Sequence, residues 1–421
     1  MYQKTTLKNG LRIITVPMKN TQTATVLVLV GTGSKYETKD INGISHFLEH
    51  MFFKGTKKRP NTLKIAEAID KIGGICNAFT GKEFTGYWAK VDSQHLDLAL
   101  DWVSDMFLNS KLEEKEIKKE KGVIIEELNM YLDTPMIYIK DLWEKLLYGN
   151  QPAGWLIIGP RENILKFKRK HFLNYQKNHY SARNTIICVA GSINPKDTEK
   201  KIKKYFKSIS TIIPEQKLKV KEKQNKPKRL VHFKKTDQTH LCLGVRGYDL
   251  FKPQKYAQAV LAAILGGFMS SRLHISVRER KGLAYYIHTY SENATDAGYL
   301  MTSAGINNQA VDKAISLILK EYKSLKSKRI SQKELQKAKD YLKGTLTLSL
   351  ELSDAQASFY AGQELLAQKT LTLKEKCAKI DKVTREDVLD IARDIFQPEK
   401  LNLALIGPFK NKKRFEKLLK I

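Results

Sequence analysis

The chain has 421 residues, which is enough for two domains of about 200 residues each. Hydrophobic residues make up 42% and charged residues 28%, which excludes a disordered or fibrous chain, and the longest apolar stretch, near Val26 to Val30, is too short to span a bilayer. With 74 Lys and Arg against 44 Asp and Glu the net charge is +30, but the excess is mostly lysine spread along the whole chain, without interleaved aromatics or a nucleic-acid module, so it reads as a solvated surface and not as a nucleic-acid site.

The N-terminus, MYQKTTLKNGLRIITV, moves directly into a strand-like alternation, with neither the apolar core of a signal peptide nor an amphipathic leader. Asn9-Gly10 marks a turn, and Leu11 to Val16 and Thr25 to Val30 read as strands. Ile41 to Phe53 reads as a helix. Thr62 is an N-cap for a helix ending at Gly73-Gly74, and Ser93 starts another through Phe107. The segment from Leu112 to Leu132 is strongly helical and stops before Pro135. Cys76, Cys188, Cys242 and Cys377 are scattered, with no CxxC pair, and read as reduced core residues of a soluble, cytoplasmic protein.

Comparing the chain with itself gives an offset of 216 residues. Thr23, Leu27 and Gly31 fall on Thr239, Leu243 and Gly247, and far downstream Gly191, which closes NTIICVAG, falls on Gly407, which closes NLALIG. A constant offset over such a span implies two copies of one α/β unit. Residues 213–230, a charged stretch with Pro214 and Pro227, read as the linker. The expected domains are therefore 1–212 and 231–421.

The chemistry is concentrated in His46-Phe47-Leu48-Glu49-His50. On a helix, positions i and i+4 share a face, so both imidazoles can converge on one cation, with Glu49 on the same side. A catalytic zinc needs a third protein ligand and an open position for water, whose proton Glu49 is placed to take. The helix carries apolar Ile44, Phe47, Leu48, Met51 and Phe52, so the charged cluster sits on a half-buried element and needs partners.

HxxEH and its surroundings, GTGSKYETKDINGISHFLEHMFFKGTKKRP, resemble the opening motif of the pitrilysin/insulinase family of inverted-zincin metallopeptidases. The resemblance implies a third ligand about 76 residues beyond the second histidine and a supporting glutamate seven residues earlier; Glu127 and Glu120 stand at those places, in a stretch that reads as a helix. It implies that GGICNAFTGKEFTGYWAKV is a substrate-binding edge strand, whose backbone near Asn77, Ala78 and Phe79 pairs with an extended peptide. It implies that Arg278 and Tyr285 in SSRLHISVRERKGLAYYI are donors to the substrate carbonyl, with Tyr286 a possible shift of register for Tyr285.

By the same resemblance, the fold is α+β: two tandem homologous α/β-sandwich domains, each a mostly antiparallel sheet packed by helices. At the 216-residue offset His46, His50 and Glu127 fall on Ala262, Gly266 and Lys343, so one zinc per chain is expected. The implied activity is that of a zinc metalloendopeptidase acting on peptides or unfolded segments in an enclosed chamber. Paired chains are implied as well, most simply a homodimer, or a heterodimer with a related subunit. Two alternatives stand beside it: a processing peptidase for leader peptides, and a non-catalytic scaffold of the same fold.

Overall fold

The structure, a computed structural model, describes residues 2–421. The first sheet holds β1 (Gln3–Thr6), β2 (Arg12–Pro17), β3 (Thr23–Val30), β4 (Ile75–Thr80), β5 (Thr85–Asp92) and β6 (Thr185–Gly191), in the spatial order β1-β2-β6-β3-β5-β4. Its pairs are antiparallel except β2 with β6. Strand β6 is buried at every position because both of its faces are covered, which is why TIICVAG shows no alternation. The second sheet holds β7 (Lys228–Phe233), β8 (Gln238–Arg246), β9 (Ala284–Asn293), β10 (Gly298–Asn307) and β11 (Leu401–Gly407), ordered β7-β11-β8-β10-β9, with only β7 and β11 parallel.

Apart from β1, the two strand orders are the same. An offset of 216 residues carries β2 onto β7 and β6 onto β11, end for end. The chain is thus α+β, with two domains of one topology, each a mostly antiparallel sheet packed by helices.

The helices of the first half are α1 (Ile44–Phe52), α2 (Thr62–Asp70), α3 (Leu96–Asn109), α4 (Glu114–Asp133) and α5 (Pro135–Tyr148). Three local details differ from the reading of the sequence. The cap of α2 is Asn61, whose side chain accepts from the Lys64 N–H, so Thr62 is already helical. Ser93 opens a 3-10 turn capped by Asp92, with α3 beginning three residues later at Leu96. Pro135 does end α4, but it also opens α5 at a position where its missing N–H costs nothing.

The compact units are not the contiguous halves 1–212 and 231–421. One unit takes the stretch up to Asn129, Trp155–Leu218 and Leu348–Leu371; the other takes Met130–Gly154, Lys219–Thr347 and Thr372–Ile421. Each sheet is covered by a helix from the other half of the sequence. On the first sheet, Ala357, Tyr360 and Ala361 of the helix Ser353–Ala367 join Ile14, Val16, Leu27, Leu29 and Ile186 in one buried cluster. Glu364 of that helix pairs with Lys4 and Arg12. On the second sheet, Ile139, Leu142, Trp143 and Leu147 of α5 pack against Cys242, Tyr299, Met301 and Ile406. The expected linker is also shorter, since Lys228 already belongs to β7. None of the four cysteines is paired, and no described helix is long and apolar enough to cross a membrane.

Trp143 is fully buried beneath α5, so Trp143→Ala should cost the second unit about 3–5 kcal/mol in urea unfolding, and Trp143→Phe less. A loss under about 1 kcal/mol for the alanine variant would show that α5 does not hold that sheet.

Candidate metal centre

Helix α1 buries Ile44, Phe47, Leu48, Met51 and Phe52 and leaves His46, Glu49 and His50 half-exposed on the other side. Its start is fastened by a buried carboxylate. Glu37 accepts hydrogen bonds of 2.8 Å from the N–H groups of Gly43 and Ser45 and from the Asn42 amide, satisfying the first unpaired donors at the positive end of the helix. Burial pushes the Glu37 pKa up while these donors act against it. Gly43 is required where it stands: φ is +102, and a Cβ would lie 2.6 Å from the Ile158 carbonyl oxygen. The Ser45 hydroxyl lies 2.7 Å from the Tyr175 hydroxyl, which lies 2.7 Å from that of Thr32.

Helix α4 brings Glu120 and Glu127 to the exposed side of α1, while Glu126 points to solvent. Nε2 of His46 is 3.6 Å from Oε1 of Glu127, and Nε2 of His50 is 3.4 Å from Oε2. These separations are long for hydrogen bonds. They are close to the roughly 3.4 Å that separates ligand atoms in a tetrahedral zinc site with bonds of about 2.0–2.1 Å, and one ligand atom from each of His46, His50 and Glu127 lies within 4.8 Å of the other two. His46 Nδ1 and Glu127 Oε2 are buried without a hydrogen-bond partner, which is rare for buried polar atoms and leaves Glu127 an oxygen free to bind a cation. No other group of three such ligands occurs among the described residues.

The orientation of His50 is set from behind. Its Nδ1 is 2.9 Å from Oε1 of Glu120, whose Oε2 is 2.7 Å from the Lys54 ammonium. This is how a ligating imidazole is held with its other nitrogen facing the metal. Burial alone would lower the His50 pKa, but contact with Glu120 and Glu127 outweighs it and raises the value to about 9. Glu127 moves the other way: burial opposes ionisation, but the two imidazoles bring it down to about 2. The cluster thus favours a positive charge at its centre, whether a proton on His50 or a divalent cation.

Glu49 is not one of the three residues grouped at the candidate metal centre. Its Oε2 accepts a hydrogen bond from the Thr80 hydroxyl, at the end of β4. Asn77, Ala78 and Phe79 lie on that strand, which pairs only with β5 and forms one edge of the sheet. The Ala78 N–H donates to the Asn77 side chain at 2.8 Å, so a neighbouring side chain covers a donor that the ladder does not use. Phe79 lies over Gly86, where a Cβ would come within 2.2 Å of the ring.

Arg278 and Tyr285 belong to the unit that does not contain the histidines. Arg278 sits in a π-helical turn, His274–Glu279, with Nη1 3.3 Å from Nε2 of His274. The ladder pairs Gly305 with Tyr286 and Ile306 with Ala284, so Tyr285 is the extra residue of a β-bulge, and it is 76% exposed. Tyr286 is tied down, its hydroxyl 3.0 Å from Nδ1 of His240. The bulge therefore separates the two tyrosines, and Tyr285 is the one presented outward. At the repeat positions, Ala262 and Gly266 lie buried in the helix Lys255–Gly266, and Lys343 pairs with Asp381.

Glu37, Lys54 and Thr80 were not singled out from the sequence. Lys54 lies four residues after His50, a helical spacing that could have marked it. Glu37 and Thr80 reach α1 from non-helical segments, where no periodicity marks them.

Residues 12–161 match the family model for Insulinase (Peptidase family M16), and residues 166–342 match that for the Peptidase M16 inactive domain. A Bacillus subtilis (strain 168) protein described as an uncharacterized zinc protease, YmxG, is 39% identical over 98% of this chain and 99% of its own length. An uncharacterized zinc protease of Streptomyces coelicolor is 31% identical over 97% and 90%. The crystal structure of a protease from Helicobacter pylori superposes with a TM-score of 0.90 at 25% identity, over 97% of this chain and 99% of that one. A chain of Complex III2 from Candida albicans shares the fold alone, with a TM-score of 0.86 at 21% identity over the full length of both. With both halves matched and relatives aligned almost end to end, the chain belongs to the insulinase family of peptidases, M16.

Proposed function

We propose that the chain is a zinc-dependent endopeptidase that cleaves peptides or unfolded segments laid along β4 as an added strand. The convergence of His46, His50 and Glu127, with one ligand atom from each within 4.8 Å of the others and Glu49 beside them, carries this reading. One zinc per chain, held by these three residues, supplies a Lewis acid and lets water act as a nucleophile near neutral pH. Glu120 keeps the His50 ring turned. Glu49 takes the proton of the attacking water and delivers it to the leaving amine. Pairing along β4 reads backbone more than side chains, which favours loose sequence specificity in an enclosed chamber.

In this proposal Arg278 and Tyr285 act on the zinc of a partner, most simply in a homodimer and otherwise in a heterodimer with a related subunit. Four unpaired cysteines fit a cytoplasmic setting. An intact ligand set speaks against the scaffold alternative, and a charge of +30 speaks against a preference for basic leaders. We assign no nucleic-acid or membrane partner.

Purified protein should carry zinc, and His50→Ala or Glu127→Gln should lower zinc content and peptide hydrolysis together; full activity in chelator-stripped protein would end the proposal. Zinc competes with the proton on His50. Its affinity, measured against a competing chelator, should therefore rise with pH by up to about tenfold per unit until about pH 9 and then level off, and a flat profile would contradict the site.

Glu49→Gln keeps the shape and removes the base. It should retain zinc and lose turnover by about 10²–10⁴-fold; zinc loss with unchanged turnover per metal would assign Glu49 to the ligands instead.

Mixing His50→Ala with Arg278→Ala, each poorly active alone, should restore part of the activity under conditions of subunit exchange. A mixed dimer would contain one site with intact zinc ligands and an intact arginine. Demonstrated exchange without recovery would mean that Arg278 does not act across the dimer.

A further inference from the structure

Thr80 occupies a junction that neither the metal nor the ladder requires. It is the last residue of β4, and its final rung pairs it with Thr85, which is itself buried and bonded to the Thr32 carbonyl at 2.9 Å. The turn after it is stitched to the segment that leads into α1: the Gly81 carbonyl accepts from the Ser34 N–H at 3.3 Å, and the Lys82 carbonyl accepts from the Lys35 N–H at 2.9 Å. A Cβ at Gly33 would lie 2.2 Å from the Gly81 carbonyl oxygen, so the two backbones touch. From this clamped corner the Thr80 hydroxyl donates to Oε2 of Glu49.

A glutamate side chain has a broad terminal torsion, and a carboxylate free to spin presents its oxygens in many directions. One hydrogen bond from a fixed donor removes that freedom, leaving Oε1 as the oxygen available to a water molecule. The donor itself rides on the strand that would receive the substrate. The side of β4 away from β5 is open, so a peptide paired there adds a second ladder to a strand that otherwise has one.

We propose that Thr80 is a positioning residue that orients Glu49 and ties the alignment of this base to occupancy of the β4 edge. The proposal deepens the peptidase reading and rests on Glu49 being the base. It makes the proton-transfer step more efficient when an extended backbone lies along residues 77–80 than when a shorter substrate occupies only the metal side.

The test is a double-mutant cycle on the full chain loaded with zinc. Thr80→Val keeps the β-branched shape and removes the donor. It should lower kcat about 10- to 100-fold, with KM within about twofold and zinc content unchanged, while Thr80→Ser recovers most of the loss. In a Glu49→Gln background the same Thr80→Val change should have no further effect, because the group it orients no longer acts. The deficit of Thr80→Val relative to the wild type should also shrink for peptides too short to pair along β4. Unchanged kcat in Thr80→Val, no recovery in Thr80→Ser, or an undiminished loss in the Glu49→Gln background would each overturn the proposal. Should Glu49→Gln alone retain wild-type turnover, it is the assignment of the base that fails, and the single-variant data show this separately.

Discussion

Side chains from two helices can share one small cation only if those helices are held in register to within about half an ångström. Here the demand falls on α1, only nine residues long and far too short to be stable alone in water. Its apolar side is packed, its first donors are taken by the buried carboxylate of Glu37, and Ser45 is hydroxyl-bonded to Tyr175. The chain from His50 to Glu120 to Lys54 holds the other end against α4. The helix is thus fixed at both termini, and its side chains inherit that rigidity.

The two units spend the same topology differently. In the first, the helix after the third strand keeps one polar side for His46, Glu49 and His50. Its counterpart Lys255–Gly266 is buried along most of its length, with Ala262 and Gly266, which carry no ligating side chain, at the places of the histidines. The second unit presents its own features on and beside β9, the edge strand that takes the place of β4, where the bulge turns Tyr285 outward.

Much of this was legible before any coordinates. The offset of 216 marked β6 and β11 because a strand buried on both faces tolerates few residue types. The pairing of His46 with His50 was legible through spacing, since a helix converts sequence intervals into shared faces, whereas Glu127, on another helix, was reached only through the family resemblance. The exchange of helices was not: the apolar side of Ser353–Ala367 records that the helix is covered, not which sheet covers it. Glu37 and Thr80 escaped for a related reason, since a side chain arriving from a turn or a strand end has no period to betray it. The bulge at Tyr285 depends on how β9 registers with β10, which the local sequence AYYIH does not reveal.

The central claim is that two imidazoles and one carboxylate surround a single zinc. X-ray absorption at the zinc edge of the purified chain tests it most directly, because it counts ligands and identifies their atoms without relying on activity. The account predicts only nitrogen and oxygen neighbours, at about 2.0–2.2 Å, with two histidine imidazoles in the outer-shell scattering and a changed spectrum in Glu127→Gln. Sulfur at about 2.3 Å, a six-oxygen shell, or a spectrum indifferent to the loss of Glu127 would contradict it.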